Sequence, residues 1–222
     1  MTRAPRQSTS MRRRLGVGLA AAAATLTVAV VTPSPAAAET VATSSEQLAS
    51  EANHAAWLLA QWKVTGSLPH HTLYLEARHR AAATVAAEFG IPAAQLEAAW
   101  GAASVHKQQV LLTAMSQIGV PYRSRMSKAY RGFDCSGLML YAYAQAGIAL
   151  PRSSGEQIRS AAEVSAAELQ PGDLVYYPGH VSMYVGDGLI VHSPQSGKDV
   201  EVRPMFDRSL RFGDAVATHA VP

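Results

Sequence analysis

An α+β fold, helices first and antiparallel strands after, is what the sequence predicts, and three observations lead there. Residues 44 to about 103 are rich in alanine and carry their apolar side chains at helical spacing. Beyond Gly119-Val120-Pro121 the apolar runs shorten to strand length, with Gly, Pro and Asp between them. No internal repeat or low-complexity linker follows Ala38, and the 184 residues after it suffice for one domain with an appendage.

Charge narrows the class of partner. The chain of 222 residues holds 19 Lys+Arg against 16 Asp+Glu, but five of those arginines and no acid precede residue 39. Residues 39–222 therefore carry 14 bases against 16 acids, so no basic excess is left to attract nucleic acid or an anionic lipid surface. The first 38 residues have the anatomy of an export signal. A basic region ends at Arg12-Arg13-Arg14, an apolar run of 17 residues extends from Leu15 to Val31, and Pro33-Ser34-Pro35 leads to the small triplet Ala36-Ala37-Ala38. Cleavage after Ala38, with Glu39 as the new N-terminus, is expected over an uncleaved anchor, because the run is at the bottom of the spanning range of about 17–25 residues. The mature chain is then secreted, with no later segment long and apolar enough to cross a membrane. The single cysteine, Cys135, precludes an intrachain disulfide and a cysteine-ligated structural zinc.

The elements follow in order. Ser44 with Gln47 resembles a capping box, and Leu48, Ala52, Ala55, Leu58, Leu59 and Trp62 share one face of the helix it opens. Gly66 and Pro69 separate it from a second helix, from His71 to Phe89, which Gly90 stops; Pro92 begins a third through Trp100. A fourth is expected from Ser104 to Ile118, apolar along one side. Another follows Cys135 and ends at Gly147, a C′ glycine. Strands are expected at Leu174–Tyr177, Val181–Val185, Leu189–Ser193, Val200–Arg203 and Ala215–His219. The organisation expected is a signal over 1–38, a helical segment over 39–103 and the chemical domain over 104–222.

The chemistry gathers around the lone cysteine in Gly132-Phe133-Asp134-Cys135-Ser136-Gly137. With Asp134 as N-cap, Cys135 falls in a first helical turn, where free N–H groups and the helix dipole favour an anion and hence a lowered thiol pKa. A secreted chain that keeps one thiol points to a reactive cysteine rather than an inert buried one. Its base must come from eight histidines. His180 opens one strand and His192 closes the next, with Gly186-Asp187-Gly188 between them. A three-residue loop over 186–188 pairs Val185 with Leu189 and sets Ser182 opposite His192, which puts both histidines on one face; an even loop separates them. His180 is then the base and His192 the residue that fixes its tautomer. The five histidines before residue 107 show no zincin-type spacing, and neither a metal nor a cofactor is expected.

Several ordered motifs resemble the NlpC-type cysteine peptidases. They are Tyr122, Asp134-Cys135-Ser136-Gly137, Leu150-Pro151-Arg152-Ser153-Ser154 with Gln157, Gly172-Asp173-Leu174-Val175, Gly179-His180-Val181 with Tyr184, and Val191-His192. The resemblance spans about residues 104–222. It implies a papain-like core with the nucleophile at a helix N-terminus on an antiparallel sheet, and a monomer acting on peptidoglycan stem peptides at the cell wall. The bond it implies joins the γ-carboxyl of D-glutamate to diaminopimelate. Carried over are Cys135 as nucleophile, His180 as base, His192 as third polar residue, and Tyr122, Asp134, Ser136, Arg152 and Ser153 as candidate substrate-binding residues. The stretch from Arg123 to Arg131 departs from the family pattern and is expected to be a solvated basic loop. The rivals are an amidase or acyltransferase of the same superfamily, and a wall-binding protein that keeps the fold without catalysis.

Overall fold

The computed structural model describes residues 44–206 and 210–219; the export signal and its cut after Ala38 lie outside those residues. Helices α1 (Ser44–Thr65) and α2 (Leu68–Phe89) form a hairpin that turns at Gly66, whose φ of 63° suits a residue without Cβ. Their buried stripes are largely alanine, among them Ala52, Ala55, Ala77 and Ala81, so the two helices pack closely. Helix α3 (Ala93–Ala102) drives Trp100 into the core, where its indole N–H donates to the Val185 carbonyl at 2.7 Å.

Helix α4 (Val105–Met115) starts at Ser104, whose hydroxyl accepts from the Lys107 amide, and it differs from the one-sided helix expected. Every residue from Lys107 to Met115 is buried. The physical reason is that α1 packs on one side of α4 while α5 and the sheet pack on others. One apolar cluster accordingly runs from Leu48 to Ala215, so residues on both sides of position 104 bury a common core.

A short hairpin, β1 (Ser127–Lys128) with β2 (Gly132–Phe133), leads into α5 (Cys135–Gln145). After α6 (Ser154–Ser160) come the six strands of the main sheet: β3 (Ala162–Val164), β4 (Leu174–Tyr177), β5 (His180–Gly186), β6 (Leu189–His192), β7 (Glu201–Pro204) and β8 (Arg211–Asp214). Their order is β3-β8-β4-β5-β6-β7, with every neighbouring pair antiparallel. The fold is thus α+β, with the cysteine at a helix N-terminus and that helix packed against β5, the papain-like arrangement.

Two sequence expectations fail here. Ala215–His219 is not a strand: the Asp214 carboxylate accepts from the Val216 and Ala217 amides and turns the chain into a 3-10 helix, Ala217–His219. The strand lies one step earlier, at Arg211–Asp214. The β5–β6 turn is the two-residue Asp187-Gly188, both at positive φ, rather than a three-residue loop. An even loop alone would part the histidines. A bulge at Val185 restores the parity, because Met183 pairs with Val191 while Gly186 pairs with Leu189.

Candidate active site

The geometry begins at the N-terminus of α5. Asp134 is its N-cap, accepting from the Gly137 amide at 2.7 Å. The same carboxylate takes the Arg125 amide at 2.8 Å and a bidentate Arg152 guanidinium at 2.6 and 3.1 Å. Burial pushes the Asp134 carboxyl pKa up, but Arg152 and the two amides outweigh it and hold it below its ordinary value. Gly137 has a separate necessity: a Cβ there would meet the Met126 carbonyl oxygen at 2.0 Å, which leaves no room for any other residue. The β1–β2 segment therefore lies directly on the helix start, with the Asp134 amide donating to Met126.

Cys135 occupies the first turn of α5, partly buried, and its sulfur is met by the backbone amides of Val181 and Ser136 and its own. The lowered thiol pKa expected from the helix terminus is not found. Burial pushes it up, the amides oppose this, and the Asp134 carboxylate adds to the rise. Tyr122 lies beside the thiol, its own pKa raised first by burial and then by the charge that Cys135 can carry.

Val181 follows His180, so the strand that supplies an amide to the sulfur also carries the imidazole. His180 Nε2 and His192 Nδ1 are 2.9 Å apart, with the rings nearly perpendicular. Burial lowers both imidazole pKa values to about 4, the His180–His192 proximity adding to the drop at His180 and Arg203 to that at His192. His192 Nε2 continues the row to Glu201 Oε1 at 3.3 Å. Sequence reasoning missed Glu201, and only the β6–β7 register, which sets His192 opposite it, could have found it.

Two hollows meet at Gly179. One of about 470 Å³ is lined by Tyr122, Arg125, Asp134, Cys135, Arg152 and Ser153, and the other of about 450 Å³ by His180, His192, Lys198, Glu201, Arg203 and Phe206. All five residues expected to touch substrate line the first hollow. Three of them also have internal duties. Asp134 is occupied by its donors, Ser136 Oγ accepts from Arg152 at 2.8 Å, and Ser153 caps α6 by accepting the Glu156 amide. The basic stretch divides: Arg125 faces the hollow, whereas Arg123 Nε donates back to the Arg131 carbonyl at 3.2 Å. Among the described residues no group of three or more His, Cys, Asp or Glu could hold a metal ion.

The helix-initial cysteine and the paired histidines thus lie on two adjoining hollows of an α+β scaffold. Residues 119–211 match the NlpC/P60 family. Three relatives illustrate the similarity. The "Probable endopeptidase Rv2190c" of Mycobacterium tuberculosis is 43% identical over 119 residues, covering 52% of this chain and 30% of the relative. The "Murein DD-endopeptidase MepH" of Escherichia coli is 39% identical over 103 residues, covering 42% and 38%. The "Gamma-D-glutamyl-L-lysine dipeptidyl-peptidase" of Bacillus cereus is 38% identical over 96 residues, covering 40% and 28%. The chain thus spans well under half the length of these curated relatives.

Proposed function

We propose that the chain is an exported peptidoglycan endopeptidase that works through a Cys135 thioester. The observation that carries this reading is the placement of one thiol and a hydrogen-bonded histidine pair on the cleft at Gly179. The sulfur attacks the scissile carbonyl carbon as its proton passes to His180. The oxyanion that forms is met by backbone N–H groups at the start of α5. As the C–N bond breaks, the departing amine takes the proton from His180. Water then adds to the thioester, gives its proton to His180, and the released sulfur takes that proton back.

The substrate proposed is an anionic stem peptide, and the cleft suits it. Arg125 lines one side and Lys198 and Arg203 the other, cations for the carboxylates of glutamate and diaminopimelate, while Arg152 is held by Asp134. The bond proposed is the one from D-glutamate's γ-carboxyl to diaminopimelate; the B. cereus relative's name supports the γ-D-glutamyl side, with L-lysine as the next residue, whereas the E. coli relative's name points to a D,D bond. Export by the 1–38 signal and a monomeric mature form belong to the same proposal. Digestion of purified peptidoglycan by the 39–222 protein beside Cys135→Ala, read by mass spectrometry, tests it. New termini at the γ-D-glutamyl bond, absent with the variant, are expected. Termini at a D,D bond would move the specificity, and release by neither protein would favour a wall-binding role.

A further inference from the structure

Beyond the cysteine and the two histidines, the row has a fourth member. We propose that Glu201 is a positioning residue that sets the tautomer of both histidines by accepting the Nε2–H of His192 across the β6–β7 ladder. The inference rests on the peptidase reading of the site for its consequence, though not for its geometry.

His192 is 1% exposed, so neither ring nitrogen can rely on solvent. Each has one protein partner: Nδ1 has His180 Nε2 at 2.9 Å, and Nε2 has Glu201 Oε1 at 3.3 Å. A carboxylate only accepts, so the hydrogen of His192 must sit on Nε2. A neutral imidazole has one N–H, which leaves His192 Nδ1 bare and able to accept. His180 Nε2 must then donate, and its remaining nitrogen, Nδ1, is left with the free lone pair that a base for the Cys135 thiol requires. One carboxylate at the far end of the row thereby specifies the proton positions of two rings.

Without it the order can invert. His192 would be free to hold its hydrogen on Nδ1 and donate to His180, whose proton would then move to Nδ1 and present an N–H where a lone pair is needed. The register supports a fixed role for Glu201. His192 and Glu201 are direct ladder partners, flanked by Val191 with Val202 and Ile190 with Arg203. The charged neighbours on the same hollow are Lys198 and Arg203, and the Arg203 guanidinium lies 4.0 Å from the centre of the Phe206 ring. As cations, neither can take over as acceptor.

Ring-nitrogen NMR on protein labelled with nitrogen-15 histidine, combined with stem-peptide turnover, tests this in wild type, Glu201→Ala and Glu201→Gln. In wild type at pH 7, Nε2 should carry the hydrogen on both rings. Glu201→Ala should shift His192 toward its Nδ1–H form and lower kcat by roughly 10- to 100-fold with KM little changed, the scale seen when orienting partners of ring ligands are lost. Glu201→Gln keeps an acceptor oxygen and should recover most of both readouts. A wild-type His192 protonated on Nδ1 would overturn the proposal. So would a Glu201→Ala protein whose ring pattern and kcat match wild type, or one altered only in melting temperature. If wild type itself releases no peptide, the peptidase reading fails, and the ring nitrogens still decide the role of Glu201.

Discussion

Two polar clusters, one joining α4 to β4 and β8 and the other running across β5, β6 and β7, are built on different rules. In one, Lys107 of α4 sits between two carboxylates, 2.7 Å from Asp173 and 2.8 Å from Asp214, and donates to Gln170 as well. Asp173 also accepts the Gln170 amide, and Gly172 beside it is required because a Cβ there would meet the Lys107 carbonyl at 2.8 Å. That cluster ties α4 to β4 and β8, and Lys107, Gln170 and Asp214 also line a hollow of about 290 Å³. The other, His180–His192–Glu201, is an open row, hydrogen-bonded along its length but ending at a cleft. The Lys107 charges neutralise one another and hold the fold, whereas the histidine row keeps one lone pair for the Cys135 thiol. Burial alone does not separate structural polar residues from chemical ones.

Breaking the open row at the cysteine should give the largest effect. Cys135→Ala is expected to reduce stem-peptide release by more than about 1,000-fold, the scale of losing a nucleophile, with a melting temperature near wild type. Breaking the Lys107 cluster should do the reverse. Lys107→Met leaves two buried carboxylates without their cation and should cost roughly 3–5 kcal/mol, a fall on the order of 10 °C in Tm by calorimetry. The kcat of the protein that remains folded should stay within about twofold of wild type.

Acid should sharpen the same contrast. Both imidazole pKa values fall to about 4 in the folded chain, against an ordinary value of 6.5. Unfolding below 6.5 therefore takes up protons, so this contribution is complete above pH 6.5 and is lost as pH falls toward 4. For His192, nearly inaccessible to solvent, the loss between pH 7 and 4.5 should be roughly 2–3 kcal/mol in urea unfolding, and His192→Asn should flatten that dependence. The smallest effect belongs to Arg152→Lys. It removes the bidentate grip on Asp134 while leaving a charge, and should cost about 1 kcal/mol because the Arg152 side chain is 44% exposed.

The helical segment bears on the site from behind. No described residue before Tyr122 lines either hollow of the cleft. Instead α3 braces the β5 bulge: Trp100 donates to Val185, Gln95 donates to Asp187 at 2.6 Å, and Gly186 packs so tightly that a Cβ would meet Leu96 at 2.9 Å. That bulge is what keeps His180 and His192 on one face. A chain shortened to 104–222 would uncover the buried side of α4, so a loss of activity in it would report on folding.

Local chemistry was readable from sequence wherever the cause was local. The Asp134 cap, the Gly147 turn and the strands at Leu174–Tyr177 and Leu189–His192 follow from residues a few positions apart. Helix α6 was missed although Ser153 and Glu156 carry its capping box three residues apart. The strand expected at Ala215–His219 mistook an apolar run for a ladder that Asp214 caps off.

By itself the sequence determined the class of fold, the thiol at a helix start and the two histidines that accompany it, because capping, periodicity and residue chemistry act over a few residues. Only the tertiary structure decided that the thiol pKa is raised, that a bulge rather than loop length aligns the histidines, and that Glu201 completes their row. Desolvation depends on everything packed around a group, and strand register on pairings between distant segments. Neither is written in any short stretch of chain.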